Sequence, residues 1–188
     1  MQIKELKEKM KQLLEQKDQV IIAIEGGSAS GKTTLGKELE QTFDCLVLHM
    51  DDFFLRPEQR TKERLEEPGG NVDRERFYEE VIIPLQKGQK IEYRPFDCAA
   101  FTIQEPTILE AGKLVVVEGV YSTHPELGRY YDFSVFLEIS SELQRERILK
   151  RNASDKAELF FTRWIPMEQK YFQAMDVKEQ CGMILSAD

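Results

Sequence analysis

Residues 20–34 have the sequence VIIAIEGGSASGKTT, and this stretch decides the fold. Its first five residues are apolar and rich in β-branched side chains, which is typical of a short strand buried on both faces of a sheet. Residues 26–33 then match G-x-x-x-x-G-K-[ST] at every fixed position. A buried strand that leads through this pattern into a helical stretch predicts a phosphate-binding loop.

The chemistry of such a loop explains its composition. Glycines and small residues let consecutive backbone N–H groups curl round a phosphate, and the N-terminus of the next helix adds its positive dipole end. Lys32 is predicted to reach the β- and γ-phosphates, and the Thr33 hydroxyl is predicted to ligate Mg²⁺. The predicted nucleotide-binding residues are Gly26, Gly27, Ser28, Ala29, Ser30, Gly31, Lys32, Thr33 and Thr34.

Other short apolar runs follow along the chain, separated by polar or helical stretches. They are residues 45–49, 114–117, 134–137 and 183–185. Buried strands that alternate with helices predict an α/β fold with a parallel sheet and right-handed crossovers. Helices are predicted over 143–151, over 158–175 and from Asp73 onward, and two short extended segments over 90–103. Residues 55–71 are polar and lack a clear period, so they predict a long functional connection.

The chain ahead of the first strand has its own pattern. Its apolar residues recur at helical spacing and are Ile3, Leu6, Met10, Leu13 and Leu14. This spacing predicts an amphipathic helix that packs on an edge of the core or on a partner. We therefore expect an N-terminal helix at residues 1–19 and a single P-loop domain at residues 20–188.

The composition limits the expected partners. The chain has 188 residues and a formal net charge of −8, from 26 Lys and Arg against 34 Asp and Glu. A chain this acidic has no general electrostatic attraction to nucleic acid or to anionic lipid, so we expect neither a nucleic-acid nor a membrane partner. Three widely spaced cysteines and a highly charged N-terminal segment predict a cytoplasmic protein without a signal peptide. A homo-oligomer is compatible with these observations.

Length and absent motifs narrow the class of nucleotide-binding protein. The chain lacks the N-K-x-D segment with which GTPases read their base, and it is short for an ABC-type or AAA-type ATPase. A small-molecule kinase fits the length better. Such an enzyme needs a carboxylate for the acceptor hydroxyl and cations for the transferring phosphate.

Carboxylates follow two of the predicted strands, where parallel sheets place their sites. Asp51 and Asp52 follow CLVLHM, and Glu118 follows LVVV. Asp51 and Glu118 are the stronger candidates to orient the attacking hydroxyl, accept its proton or hold Mg²⁺. The alternative for the Asp pair is a turn or a helix N-cap, and the sequence leaves open which of the two points inward.

Two arginines on a predicted basic helix are candidates to stabilise the transferring charge. Arg147 and Arg151 lie one helical turn apart on the same face. As a pair of like charges they repel each other mildly without an anion, and kinases use arginines to neutralise the transferring phosphoryl group. The alternative is a solvated helix whose charged side chains form i,i+4 neighbours.

Several segments together resemble the uridine kinase family of P-loop kinases, in matching order from residue 20 to about residue 152. They are GGSASGKTT (26–34), MDDFF (50–54), NVD (71–73), YRPFD (93–97), VVVEG (115–119) and RERILKR (145–151). That family includes uridine–cytidine kinases and nicotinamide riboside kinases, with phosphoribulokinase and bacterial pantothenate kinase as relatives. The resemblance implies a five-stranded parallel core with a lid over the phosphates, Asp51 as the base and Glu118 as a Mg²⁺-linked carboxylate.

The same resemblance implies residues that bind the acceptor. Asp73 stands where the family holds ribose hydroxyls, and it is equally suited to N-cap the following helix. Tyr93, Arg94 and Phe96 fall in the segment that closes over the acceptor. Phe96 stands where pyrimidine kinases carry a Tyr, and Phe101 lies near where they carry a base-contacting His. Two hydrogen-bond partners for a pyrimidine are therefore missing. The alternative to a role in acceptor binding is that Phe96 and Phe101 are simply core aromatics.

We therefore predict an ATP- and Mg²⁺-dependent kinase that phosphorylates a primary hydroxyl group on a nucleoside or ribosyl-like small molecule. The predicted catalytic residues are Lys32, Asp51, Glu118, Arg147 and Arg151. The predicted acceptor-binding residues are Asp51, Asp73, Tyr93, Arg94 and Phe96, and the predicted metal ligands are Thr33, Asp51 and Glu118. Two alternatives stay open: a kinase of a pantothenate-like or sugar-like alcohol, and a nucleotide-dependent regulatory protein.

Overall fold

A five-stranded parallel sheet forms the centre of the computed structural model, which describes residues 2–188. Along the chain the strands are β1 (Val20–Glu25), β2 (Leu46–His49), β3 (Ile91–Tyr93), β4 (Phe96–Asp97), β5 (Thr102–Ile103), β6 (Thr107–Leu109), β7 (Leu114–Glu118), β8 (Phe133–Glu138) and β9 (Met183–Ser186). The central sheet has the order β2-β7-β1-β8-β9, and every neighbouring pair is parallel. The predicted α/β class, its core strands and their parallel arrangement are confirmed.

Helices lie between and after these strands along the chain. They are α1 (Gln2–Gln16), α2 (Lys32–Phe43), α3 (Lys62–Glu66), α4 (Arg74–Phe77), α5 (Ile83–Gln86), α6 (Pro125–Gly128), α7 (Ser141–Arg151), α8 (Ser154–Leu159), α9 (Ile165–Ala174) and α10 (Val177–Gln180). Two π-helical turns, at residues 78–82 and 160–164, join α4 to α5 and α8 to α9 without a break. Within residues 2–188, no helix has the length and apolar character needed to cross a membrane.

Strand β1 lies in the middle of the sheet, which explains its apolar sequence. It pairs with β7 on one side and with β8 on the other, and all six of its residues are buried. A strand that is covered on both faces has no polar side to present to water. In the observed register Ile24 pairs with Glu118 of β7, and His49 of β2 pairs with the same residue. The carboxyl ends of β1, β2 and β7 therefore meet at one edge.

Helix α1 packs against the core of the domain. Leu6 and Met10 are fully buried in a cluster with side chains of β1, α2 and β7. The side chain of Gln2 accepts the backbone N–H of Ser186, at the end of β9, at 2.9 Å. Of the two expectations for this helix, a core edge or a partner, the structure shows the helix packed at the edge of the core.

The chain between β2 and β7 builds a wall beside the carboxyl edge of the sheet. Phe54 and Val72 form an isolated antiparallel bridge that closes the polar connection 55–71 at its base. Beyond it, β3 pairs with β6 and β4 pairs with β5 in two antiparallel ribbons. The sequence predicted extended segments in this region but missed β6, because three residues are too few for a recognisable period.

Candidate active site

The phosphate-binding loop occupies the turn between β1 and α2, as predicted. Its backbone requires glycine at both ends, since φ is +145° at Gly26 and +103° at Gly31. A Cβ atom at position 26 would lie 2.4 Å from the carbonyl oxygen of Leu137, so a side chain there would collide with β8. The Nζ atom of Lys32 donates to the carbonyl of Gly27 at 2.9 Å, which places the lysine directly against the loop.

A cleft of about 1100 Å³ opens over the carboxyl edge of the sheet, and the loop, Asp51 and Glu118 line it. Strands β9 and β2 form opposite edges of the sheet, and the residues that line the cleft come from both sides. The α1 end lies beside β9 and is lined by Ile3, Asn152, Lys156, Phe160 and Leu185. The Phe101 end lies beyond β2 and is lined by Phe54, Arg60, Asn71, Cys98 and Phe101. The loop thus lies between the two ends of one continuous cleft.

Thr33 and Glu118 form a pair of oxygen ligands suited to Mg²⁺. The Thr33 hydroxyl, on the second residue of α2, donates to Oε1 of Glu118 at 2.9 Å. Magnesium is usually held by one or two protein oxygen atoms together with substrate phosphates, and it does not need a complete protein cage. The structure thus brings together two of the three side chains predicted to hold the metal, and their chemistry fits this ion.

His49 is a neighbour of Glu118 that the sequence did not single out. Its Nδ1 atom donates to Oε1 of Glu118 at 2.6 Å, across the adjacent strands β2 and β7. Burial alone would raise the pKa of Glu118, but the hydrogen bonds from His49 and Thr33 outweigh it, and that pKa is lowered. Glu118 is therefore held in its ionised form, which is the form that a metal ligand needs.

The structure separates Asp51 from Asp52, a choice that the sequence left open. Both lie in the 3₁₀ turn that follows β2. Asp51 lines the cleft beside the loop, whereas Asp52 accepts the Tyr93 hydroxyl at 2.5 Å. Incomplete solvation of its carboxyl group in the cleft raises the pKa of Asp51, and the charge of Lys32 partly opposes this shift. A carboxylate with a raised pKa at the edge of the cleft is suited to accept a proton.

Several predicted acceptor-binding residues do not line the cleft: Asp73, Tyr93, Arg94 and Phe96. Tyr93 is buried, and its hydroxyl also accepts the backbone N–H of His49. Arg94 forms an ion pair with Glu80. These side chains support the wall, and their direct contact with an acceptor stays a prediction.

Phe96 and Phe101 differ in their exposure. Phe96 is buried and packs edge-to-face on Phe101, with 6.4 Å between the ring centroids. Phe101 is 52 % exposed and lines the cleft. The guanidinium of Arg60 lies 5.1 Å from the centre of the Phe101 ring, and its Nε donates to the carbonyl of Leu55. Phe96 is thus a core aromatic, the alternative that the sequence left open, whereas Phe101 and Arg60 present an aromatic and a cationic surface to the cleft.

Asp73 caps helix α4, as the sequence allowed. Its Oδ1 atom accepts the backbone N–H of Arg76 at 3.1 Å. Its Oδ2 atom is buried without a hydrogen-bond partner among residues 2–188, and guanidinium nitrogens of Arg76 and Arg56 lie 3.8 and 3.9 Å away. The capping contact is present, and a role in holding ribose hydroxyls stays a prediction.

Arg147 and Arg151 both line the cleft, but their surroundings differ. Arg147 donates to the carbonyls of Ala29 and Ser30 at 3.2 and 3.3 Å, and to that of Ala187 at 3.0 Å. These bonds tie the loop to the end of the chain. The guanidinium of Arg151 lies 5.6 Å from the ring centre of Phe160 and is exposed. Arg151 therefore has more freedom to approach a phosphate, and the catalytic role of both residues stays a prediction.

Glu25 is a fully buried carboxylate, 0 % exposed, and is not among the candidate residues predicted from the sequence. Five donors surround it at 2.9–3.2 Å: the backbone N–H groups of Gly26, Tyr121 and Thr123, and the hydroxyls of Thr123 and Tyr171. Burial raises the pKa of Glu25 to about 7, although the hydrogen bonds oppose this shift. An acidic residue at the end of an apolar strand was the signal that identified Glu118, and it was equally present here.

The chain matches the family model described as "Phosphoribulokinase / Uridine kinase family" over residues 21–158. It is 27 % identical over 195 residues to the bifunctional alpha-galactosidase/sucrose kinase AgaSK of Mediterraneibacter gnavus. The aligned region is 91 % of this chain and 20 % of that protein. It is 26 % identical over 146 residues to a uridine kinase of Clostridium perfringens, and the aligned region is 72 % of this chain and 68 % of the relative. A solved structure described as a possible uridine kinase from Bacillus stearothermophilus matches with a TM-score of 0.68 at 21 % identity, over 96 % of this chain and 99 % of that one.

The fold and the site define a P-loop kinase, an enzyme that transfers a phosphoryl group from a nucleotide to a hydroxyl group of a small molecule. The chain belongs to the phosphoribulokinase/uridine kinase family, because the family model matches more than half of its length. The family resemblance of the sequence motifs is thereby confirmed. The solved structure supports the fold.

Proposed function

We propose that this protein is an ATP- and Mg²⁺-dependent kinase that phosphorylates a primary hydroxyl group of a nucleoside or ribosyl-like acceptor. One observation carries the proposal: the loop, Glu118 and Asp51 line one cleft, whose other lining residues come from both sides of the loop. A triphosphate on the loop would present its terminal phosphoryl group beside a carboxylate and next to room for a second small molecule. That arrangement allows transfer between two bound substrates.

The residues of the loop would bind the triphosphate. Its backbone N–H groups and the N-terminus of α2 attract anionic oxygens, and Lys32 adds a positive charge against the loop. Thr33 and Glu118 are the residues that would hold Mg²⁺, with Asp51 close by. When bound, the ion supplies positive charge to the phosphate oxygens.

Asp51 would act on the acceptor. It would accept the proton of the attacking hydroxyl while the hydroxyl oxygen forms a bond to the γ-phosphorus. The bond from that phosphorus to the bridging oxygen breaks, and ADP leaves with the electron pair. Arg151 and Arg147, which both line the cleft, would offset the negative charge that spreads over the transferring phosphoryl group. Catalysis of this kind is mostly positioning together with charge stabilisation.

A non-nucleoside alcohol is the second candidate for the acceptor. The relative from Clostridium perfringens is named a uridine kinase, whereas the relative from Mediterraneibacter gnavus is named in part a sucrose kinase. Phe101 is exposed in the cleft, where an aromatic ring can stack on a base or on the apolar face of a sugar. The order of chain motifs favours the nucleoside, and the absence of Tyr and His at positions 96 and 101 favours the sugar or another alcohol.

An ADP-release assay across a panel of acceptors tests this proposal. The panel contains uridine, cytidine, nicotinamide riboside, sucrose and pantothenate, each with MgATP. We expect at least one nucleoside to raise ADP release about tenfold or more above the rate without acceptor, since a correctly placed hydroxyl competes with water for the phosphoryl group. Stimulation by sucrose or pantothenate alone would favour the second candidate. A slow rate that no acceptor changes would favour a regulatory nucleotide-binding protein.

Ile3 provides a separate test of where the nucleotide base lies. Its side chain is 42 % exposed and lines the α1 end of the cleft, where the base of a nucleotide on the loop would reach. We expect Ile3→Asp to weaken ADP binding about fivefold or more, because a charge replaces an apolar contact with the base. Binding of inorganic tripolyphosphate, which has no base, should change less than twofold. Isothermal titration calorimetry measures both affinities.

Ile184 offers a matched control, since it is also 42 % exposed but does not line the cleft. Ile184→Asp should bind ADP and tripolyphosphate like the unchanged protein. Equal weakening of both ligands in Ile3→Asp would show that the substitution disturbs the loop, and the base would then lie elsewhere.

A further inference from the structure

Glu168 is a buried carboxylate, 4 % exposed, that lies directly on the phosphate-binding loop. It belongs to α9 and accepts the backbone N–H of Ser28 at 2.9 Å, and it also accepts the Ser28 hydroxyl. The N–H groups of such loops are the groups that bind anions. In this structure one of them is therefore bound by an anionic side chain of the protein itself.

Contacts with the loop locate Glu168 relative to a bound nucleotide. Glu168 bonds to Ser28, and a Cβ atom at the preceding Gly27 would lie 3.5 Å from its Oε2 atom. The Nζ atom of Lys32 donates to the carbonyl of the same Gly27. Lys32 reaches the β- and γ-phosphates in loops of this kind, and Asp51 lies on the side of the attacking hydroxyl. Glu168 also lines the cleft. It therefore lies at the end of the loop that receives the terminal phosphate.

Helix α9 is fixed in this position by a second contact. Tyr171, one turn after Glu168, is fully buried and donates its hydroxyl to Glu25 at 3.2 Å. Glu25 in turn accepts the backbone N–H of Gly26, the first residue of the loop. One face of α9 thus holds the loop at two points. Glu168 cannot leave the loop by a rotation of its own side chain without giving up both of its hydrogen bonds to Ser28.

We propose that Glu168 is a positioning residue that holds Ser28 and opposes the terminal phosphate of a bound triphosphate before transfer. The inference rests on the proposed function, because it assumes a triphosphate on the loop. A terminal phosphate brings negative charge next to a carboxylate where little water separates them, and like charges repel strongly there. A diphosphate ends one phosphate earlier and meets less of this repulsion. Departure of the phosphoryl group relieves it, so part of the repulsion favours transfer.

The substitution Glu168→Gln tests the proposal because it removes the charge and keeps an oxygen that can accept the Ser28 N–H. We expect the Kd for a nonhydrolysable ATP analogue with Mg²⁺ to fall about fivefold or more, while the Kd for ADP with Mg²⁺ changes less than twofold. With ATP as substrate, kcat should fall while KM also falls. A purely structural role would weaken both nucleotides alike, and calorimetry measures both affinities.

Glu158→Gln is a matched control, since Glu158 is exposed on α8 in the same continuous helical stretch and its loss changes the net charge equally. It should leave both Kd values unchanged. Glu168→Asp is the second variant, in case the amide does not fold, as judged by a thermal melting curve. The shorter Asp side chain places the charge farther from the loop. Glu168→Asp should therefore lower the Kd for the ATP analogue by a smaller factor than Glu168→Gln, with the Kd for ADP changing less.

The outcomes separate the inference from the function on which it rests. If the unchanged protein binds neither nucleotide, the proposed function fails. If it binds both, and the two Glu168 variants change the two affinities by the same factor or not at all, the function stands and the role of Glu168 is overturned.

Discussion

Replacing Asp51 with Asn is expected to lower kcat by at least about 100-fold, the range typical for loss of a general base. Asp51 lines the cleft beside the loop, and incomplete solvation there raises its pKa, so its carboxylate is suited to take a proton from the acceptor hydroxyl. An Asn side chain has a similar shape but cannot accept that proton at neutral pH. The Kd for ADP with Mg²⁺ should stay within about threefold, because the substitution leaves the loop and Lys32 intact. Steady-state kinetics with the best acceptor, together with calorimetry, measure the two effects.

Asp52→Asn is the matched control for this experiment. Asp52 lies next in the chain, but its carboxylate is bound by Tyr93, on the wall behind the cleft. We expect Asp52→Asn to lower kcat by less than about tenfold, because it weakens only the hydrogen bond with Tyr93. If Asp51→Asn instead turned over within about tenfold of the unchanged enzyme, Asp51 would not be the base, and the site would depend on positioning and charge alone.

Replacing Lys32 with Ala is expected to lower kcat/KM for ATP by about 1000-fold or more. The lysine lies against the loop, 2.9 Å from the Gly27 carbonyl, and supplies a fixed positive charge to phosphates in a partly enclosed site. Its loss removes an interaction that both binds the triphosphate and stabilises the transferring charge. Both KM and kcat should therefore become worse, and the affinity for ADP should fall by about tenfold or more.

Lys37→Ala provides the control, because Lys37 is exposed on the same helix α2 and lies outside the cleft. It should retain the ADP affinity and the turnover of the unchanged protein. A thermal melting curve of Lys32→Ala checks that the loop still folds. Full ADP affinity in a folded Lys32→Ala protein would mean that the phosphates bind outside the loop.

Much of the frame of the site could be predicted from neighbouring residues in the chain. The phosphate-binding loop was recognisable because its glycines, Lys32 and Thr33 must stand in a set order within eight residues. Asp51 and Glu118 were recognisable because each follows a buried strand, and parallel strands end at one edge. The register that pairs Glu118 with both Ile24 and His49 brings these strand ends together, as the parallel arrangement predicts.

The acceptor side was predicted less completely. Tyr93 and Phe96 do not line the cleft, so their contact with an acceptor stays a prediction, while Arg60, Asn71 and Phe101 do line it. The direction in which a side chain of a short strand or loop points depends on how the antiparallel ribbons around it pair and pack. Two-residue and three-residue strands have no period from which that direction can be read.

By itself the sequence determined the class of this protein: the parallel α/β core, the loop after its central strand, and the carboxylates at the strand ends. These features depend on residues adjacent in the chain. Only the tertiary structure decided that Glu168 binds the loop and that Ile3 lines the cleft beside β9. Those residues reach the site from segments far away in the chain, and among 34 acidic residues no local pattern distinguishes the one that packing brings onto the loop.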